Sequence, residues 1–468
     1  MSDADAMPVR VRHFGNTANN AFHNALLLEE FEGIGSELPI RMFGLAHAIS
    51  APAWEAIDFE VPDAAWVPQP DWGIDPAAVA TNSKYSDIAA PGSAGAAAQP
   101  RSLGDRVMGL ARSVLGPLYG RAWAQPIFDL SYRVVLARRP QVTSLWGSID
   151  LVYGADSLIW QRPDRDVSRL VCLEHGTVRW VADGDRGSAV LRSAYRRQVE
   201  QAQQLWVTNL DPRSLELAED IAPGRWSALP HPFMLDTRVP FPESQQHRAR
   251  LLRETDSERL VLLPSSQNWS KHHDKGSIKA LTAFAELRKQ GVPVGLVAVE
   301  WGLQLAESKA FLDAAGVGQH VTWVAPMARF SLQRMMADVD VVWDQFGLDA
   351  FGALALRAVE QGTPLVSRGL IAEAERLIGG PVPWIHAVSV EDIMRETAAV
   401  FDRMAAEGRD QMIDATRQRY RSWLTERHPP SVTAALQREV YASLVDGSFD
   451  RGGSAPDRWA QLLRGAAQ

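Results

Sequence analysis

Apolar and polar positions along this chain fall into two alternating patterns. Short apolar runs at Val9–Phe14, Asp150–Tyr153, Leu170–Leu173, Leu205–Thr208 and Ser227–Leu229 have the length and residue types of buried strands. A second set follows at Arg259–Pro264, Val292–Val299, Val321–Ala325, the run ending at Trp343, and Thr363–Ser367. Between them, Ala18–Phe31, Ser277–Gln290, Ile393–Glu407, Gly408–His428 and a segment from Pro429-Pro430 to about Val445 are spaced as helices. Such alternation predicts parallel sheets covered by helices. Residues 76–100 break the rhythm with small, polar and proline positions, which predicts a loop or insertion. Phe233–Arg248, rich in proline and charge, reads as a linker, and 447–456 has the composition of a flexible tail. The predicted organisation is therefore a first domain over 1–238 with an insertion at about 76–140. A second domain follows over 239–428, and 429–468 supplies a helix returning to the first domain plus the tail.

Length supports two domains, since 468 residues exceed what one ordinary core serves. The 46% hydrophobic and 22% charged content excludes a disordered or fibrous chain. A net charge of -8 argues against a dedicated nucleic-acid binder. Cys172 is the only cysteine, so no internal disulfide can form, and a reducing, cytoplasmic setting is the expectation. The first thirty residues lack the apolar stretch of a signal peptide, and no run of about eighteen apolar residues predicts a membrane span. One segment complicates this picture. Residues 101–140 mix seven arginines with Leu103, Val107, Leu110, Leu115 and Trp123. They read either as a helix with a solvated arginine face or as a peripheral contact with the inner face of an anionic membrane.

Candidate chemistry concentrates in loops that follow strands. Residues 338–366 read as strand, polar loop, helix opening at Phe351-Gly352, then strand. Unpaired N–H groups and the positive end of the helix dipole at such a loop form a seat for phosphate. Asp349 there could cap the helix or accept hydrogen bonds from sugar hydroxyls. Arg357 and Glu360 read as a surface pair on that helix. Pro264–Gly276 also links strand to helix and carries Gln267, Lys271, His272, His273 and Lys275, so it suits a diphosphate or is a solvated connector. Trp301 ends a strand, where its ring could stack on a base or simply pack.

These motifs resemble the donor domain of retaining glycosyltransferases of family 4, an α/β, GT-B-like fold with two Rossmann-like domains facing across a cleft. The family shows Glu, Gly, Phe, Gly, then a second Glu eight residues after the first, then Gly-x-Pro. This chain has Asp349, Ala350, Phe351 and Gly352, then Arg357, then Gly362-Thr363-Pro364. Lys275-Gly276 is similar to the family's diphosphate-binding Lys-Gly, with Ser270 where an arginine is usual and Lys271 beside it. Gly15-Asn16 resembles the glycine loop near the donor phosphates. Glu174-His175-Gly176 is similar to the segment whose histidine lies near the transferred sugar.

The resemblance implies transfer of a sugar from a nucleoside-diphosphate sugar, UDP or GDP type, to a hydroxyl acceptor, with retention and without a metal cofactor. It implies His175, Lys275 and Asp349 as catalytic residues. Gly15, Asn16, Gln267, Lys271, Trp301, Ala350, Phe351, Gly352, Arg357 and Glu360 would join Lys275 in holding the donor. Arg357, standing where a glutamate holds the ribose, and Ser270 motivate one alternative, a non-catalytic binding or scaffold subunit with a degenerate donor site; a nucleotide-sugar epimerase of the same fold is a second.

Overall fold

The computed structural model describes residues 9–14, 20–37, 149–153, 167–176, 195–196, 198–234, 245–269, 274–302, 304–325, 327, 329–350 and 352–466. Gly15, Asn16, Ser270, Lys271, Phe351, the insertion at 76–140 and the arginine-rich segment 101–140 lie outside the described residues.

Two six-stranded sheets, parallel throughout, organise the chain. The first contains β1 (Arg10–Phe14), β2 (Gly35–Glu37), β3 (Ile149–Tyr153), β4 (Leu170–Glu174), β5 (Gln204–Val207) and β6 (Trp226–Ala228), in the order β2-β1-β3-β4-β5-β6. The second contains β7 (Arg259–Leu263), β8 (Val294–Val299), β9 (Val321–Val324), β10 (Val341–Trp343), β11 (Leu365–Ser367) and β12 (Ile385–His386), in the order β12-β11-β10-β7-β8-β9. Counted from β7, that is the 3-2-1-4-5-6 order of a Rossmann sheet read from its other edge. The central strands are buried throughout and apolar except for Glu174 at the end of β4 and Gln204 at the start of β5, the pattern of parallel strands covered on both faces.

Helix α1 (Asn20–Glu32) follows β1, and α2 (Pro212–Ile221) follows β5. The second sheet carries α3 (Gln245–Glu254), α4 (Ser277–Lys289), α5 (Leu305–Ala314), α6 (Arg329–Asp338), α7 (Ala353–Gln361) and α8 (Ala372–Leu377). The chain ends with α9 (Val390–Glu407), α10 (Arg409–Arg427), α11 (Pro430–Asp446) and α12 (Arg458–Ala466). Gly352 is the N-cap of α7 in extended conformation, so the helix opens at Ala353 rather than at Phe351-Gly352. Gly362 ends α7 at φ 84°, with the side chain of Arg417 2.8 Å from where a Cβ would sit, so only glycine fits the turn.

Two sequence readings are corrected. The stretch 233–248 is not linker to its end, because α3 starts at Gln245. Arg248 from that helix donates to both oxygens of the fully buried Asp340 at 2.9 and 3.0 Å, and Arg409 donates to Asp340 Oδ1 at 2.7 Å. A doubly paired, hydrogen-bonded carboxylate can be buried, so a charged segment became part of a core. Residues 447–456 are likewise tied down. Ser454 N–H donates to Gly224 O at 3.1 Å, Ala228 N–H to Pro456 O at 2.9 Å, and Arg451 Nη2 to Glu200 O at 2.6 Å. Helix α12 then buries Trp459 completely.

Helix α11 lies on α1, across the first sheet. Asn24 and Gln437, both fully buried, exchange two amide hydrogen bonds of 2.8 Å, and Tyr441 O–H donates to Gln437 Oε1 at 2.9 Å.

Candidate functional site

In a doubly wound sheet, ligands sit beyond the carboxyl ends of the strands where the order reverses. In the second sheet that point lies between β7 and β10, and the loops leaving it are 264–276 and 344–352, the two loops singled out from the sequence.

The structure locks these loops together through their backbones. Phe346 and Gly347 N–H groups both donate to Lys275 O, at 2.7 and 3.1 Å. Gly276 sits at φ 77°, and a Cβ there would lie 2.6 Å from Gly347 N. A Cβ on Gly347 would lie 2.4 Å from Asp274 O. Lys275, half-buried, is thus held one residue before the N-cap of α4 and against the loop leading to α7. Beneath it, Ser265 Oγ donates to Asp344 Oδ1 at 2.9 Å. Burial raises the Asp344 carboxyl above its ordinary range, while the Lys275 charge and the Ser265 hydroxyl pull it back.

Gln267 is fully buried and its groups shape the loop. Its N–H donates to Trp301 O at 2.8 Å, its carbonyl accepts from Gln304 N–H at 2.9 Å, and its Oε1 accepts from Ser308 Oγ at 3.1 Å. Trp301 is half-buried, and its indole donates to Pro264 O at 3.0 Å. Ala350 is buried, its carbonyl accepting from the Gln345 amide.

Asp349 does not cap α7, whose N-cap has no side-chain bond. Both carboxylate oxygens accept from the Arg368 guanidinium, the longer bond 2.8 Å, and about a quarter of each side chain is exposed. Arg368 follows β11 directly, a neighbour the sequence did not flag.

Arg357 and Glu360 are not a surface pair. Only 5% and 3% exposed, they bond at 3.0 Å, and Glu360 Oε2 also accepts from Gln333 Nε2 at 2.7 Å. The guanidinium points to the first domain. Arg357 Nη2 bonds His23 Nε2 at 2.8 Å, Nη1 donates to Met234 O at 3.4 Å, and the guanidinium lies 5.1 Å from the centre of the Phe233 ring.

In the first sheet, His175 follows β4 at a bend held by Glu174. That fully buried carboxylate accepts from Gly176 N–H at 2.5 Å and from Tyr195 O–H, while Thr208 N–H donates to the Glu174 carbonyl at 2.9 Å. Gly176 is at φ 119°. His175 Nδ1 is buried without a hydrogen-bond partner among the described residues, and its ring centre lies 6.4 Å from that of Tyr153. Tyr153 is fixed by His13 Nδ1 at 2.8 Å and by Asn24 Nδ2 at 2.9 Å. Burial lowers His13 to about 3, so its ring is neutral. Tyr153, His13 and His23 were not found from the sequence, and Glu174 was read there only as part of the His175 segment. The only available signal was a polar residue inside a short apolar strand or helix turn.

No group of three or more His, Cys, Asp or Glu able to hold a metal ion occurs among the described residues. No helix among them is long and apolar enough to cross a membrane.

No protein-family model and no curated protein matches the sequence. Solved structures do. The structure of Anabaena HepE in complex with UDP and glucose superposes with a TM-score of 0.54 at 12% identity, covering 93% of this chain and 100% of that chain. The fold is GT-B. Sucrose-phosphate synthase from Thermosynechococcus elongatus is also similar, with a TM-score of 0.48 at 16% identity over 69% of this chain and 78% of that chain. A putative UDP-N-acetylglucosamine 2-epimerase from Listeria monocytogenes gives 0.44 at 14% identity over 96% of this chain and 100% of its own. At 12% identity the GT-B architecture of two Rossmann-like domains is what the likeness to the HepE structure establishes.

Proposed function

We infer that this chain is a glycosyltransferase taking a sugar from a nucleoside-diphosphate sugar, of UDP type by the ligand named for HepE, to a hydroxyl acceptor. One observation carries the reading: at the switch point of the second sheet, the Lys275 and Asp349 loops are stapled through their backbones beside the openings of α4 and α7. An ammonium group and two helix N-termini converging on one point suit a diphosphate.

In this reading the bond between the sugar's anomeric carbon and the β-phosphate oxygen breaks, and its electron pair stays on the phosphate. Lys275, Lys271 and the amides near Gly15, Asn16, Phe351 and Gly352 stabilise that charge, which replaces a divalent cation. The acceptor oxygen bonds to the same face of the sugar, giving retention, and its proton passes to the departing phosphate. Asp349, oriented by Arg368, receives sugar hydroxyls. The clamped bend at Glu174 presents His175 to the sugar from the other domain, its buried Nδ1 open to a donor.

The scaffold alternative drew its motive from Arg357 and Ser270; of these, Arg357 has contacts with His23 and Phe233 that give it a structural role. The reading is tested by calorimetry with UDP, GDP, ADP and dTDP, and by turnover of UDP-sugars with and without EDTA. Lys275→Ala is expected to lower turnover at least ten-fold with the fold intact. Absence of nucleotide binding, or abolition of activity by EDTA, overturns it.

A further inference from the structure

Arg357 stands on α7, and its guanidinium ends in the first domain. We propose that Arg357, braced by Glu360, is a positioning residue that fixes the N-terminus of α7 against the N-terminus of α1 and so sets the width of the cleft.

Four observations carry this. First, the contacts come from opposite domains: His23 belongs to α1, Phe233 and Met234 to the strand-end segment after β6, and Arg357, Glu360 and Gln333 to the second domain. Second, the geometry is directional. A guanidinium only donates, so His23 Nε2 accepts and the imidazole is held neutral in one tautomer. The Phe233 ring stands edge-on to His23, centres 4.8 Å apart, and under Arg357, so the three groups interlock. Third, the bond sits one turn from both helix openings. His23 is the fourth residue of α1 and Arg357 the fifth of α7. At 1.5 Å per residue, the tie lies about 5 Å from each N-terminus along its axis. Both helices follow a strand of a parallel sheet, so both openings lie at strand carboxyl ends, where a ligand binds. Fourth, the Arg357 charge is balanced by Glu360 at 3.0 Å inside the protein. The pair therefore offers geometry, not net charge, to whatever occupies the cleft.

The tie itself stands on these contacts alone. Its consequence for nucleotide affinity rests on the glycosyltransferase reading, so the two are measured separately. The tie is read without ligand, by hydrogen exchange over residues 20–28 and 229–234 and by the radius of gyration in solution scattering. His23→Leu removes the acceptor; His23→Gln keeps an acceptor oxygen. The double variant Arg357→Met with Glu360→Gln removes the charge pair together, leaving no unpaired buried carboxylate.

His23→Leu and the double variant are expected to speed exchange in both segments at least ten-fold and to enlarge the radius of gyration, with exchange over β7, β8 and β10 unchanged. His23→Gln is expected to restore wild-type exchange. Wild-type exchange and scattering in His23→Leu overturns the proposal, as does His23→Gln behaving like His23→Leu. Should the double variant unfold, the His23 pair decides alone. If wild-type protein binds no UDP while the tie variants still loosen, the glycosyltransferase reading falls and the tie stands. If UDP binds, the loosened variants are expected to bind it at least ten-fold more weakly.

Discussion

At the scale of single residues, buried histidines give the protein a defined response to acid. Burial holds His13 at about 3 and His428 at about 4, against an ordinary value of 6.5. Both are therefore neutral in the fold at pH 5, whereas in the unfolded chain both take up a proton. Unfolding is then favoured as pH falls, and the stability present above about 6.5 is lost progressively toward 3. Each group contributes about 2 kcal/mol of loss between pH 7.5 and 5. Denaturant midpoints for wild type and His13→Gln at the two pH values check this. The variant is expected to lose roughly half of the histidine-dependent slope, and an unchanged slope counts against the assignment. Residue type left Lys275 and Asp349 with two readings each, solvated connector or diphosphate contact and helix cap or sugar contact, and the resemblance to a known motif singled them out. Residue type misjudged Arg357 and Glu360, since an i, i+3 pair of opposite charges looks the same on a solvated face and at a domain contact.

At the scale of elements, most of the sheet was legible. Parallel strands covered on both faces are nearly continuously apolar, and β4, β5, β7, β8 and β10 stand out for that reason. The edge strands β2 and β12, three and two residues long, carry no such pattern and were missed. So was α3, whose arginines read as linker until Asp340 is seen beneath Arg248. The glycine at the start of α4 matters more than its helix propensity suggests. Gly276→Ala would place a methyl 2.6 Å from a backbone nitrogen at φ 77°, so the Lys275 loop must move away from Phe346-Gly347. The expected cost is about 1–3 kcal/mol in the urea midpoint, with a larger proportional loss of nucleotide binding than of stability. A change in stability without one in binding would contradict the placement of this loop at the site.

At the scale of the whole molecule, the described residues join the two domains through the chain near 234–245, through α11 packing on α1, through α12 packing on α8, and through Arg357. The second connection is a buried amide exchange between Asn24 and Gln437. Gln437→Leu leaves the Asn24 amide without its partner in a dry interface, so a loss of about 1–3 kcal/mol is expected. Because Asn24 also donates to Tyr153, which lies beside His175, the same variant is expected to lower turnover. Thermal melting together with donor turnover measures both effects.

The central strands, the longer helices, the two loops at the second switch point and the lysine and aspartate in them were legible in the sequence alone, because local periodicity and turn chemistry act over a few residues. What those residues pair with was decided only by tertiary structure. The pairing of Asp349 with Arg368, the burial of Gln267 and the reach of Arg357 to His23 join positions 19, 41 and 334 residues apart. No local pattern encodes such contacts; they exist because packed helices and sheets bring distant polar groups into a dry space where each must find a partner.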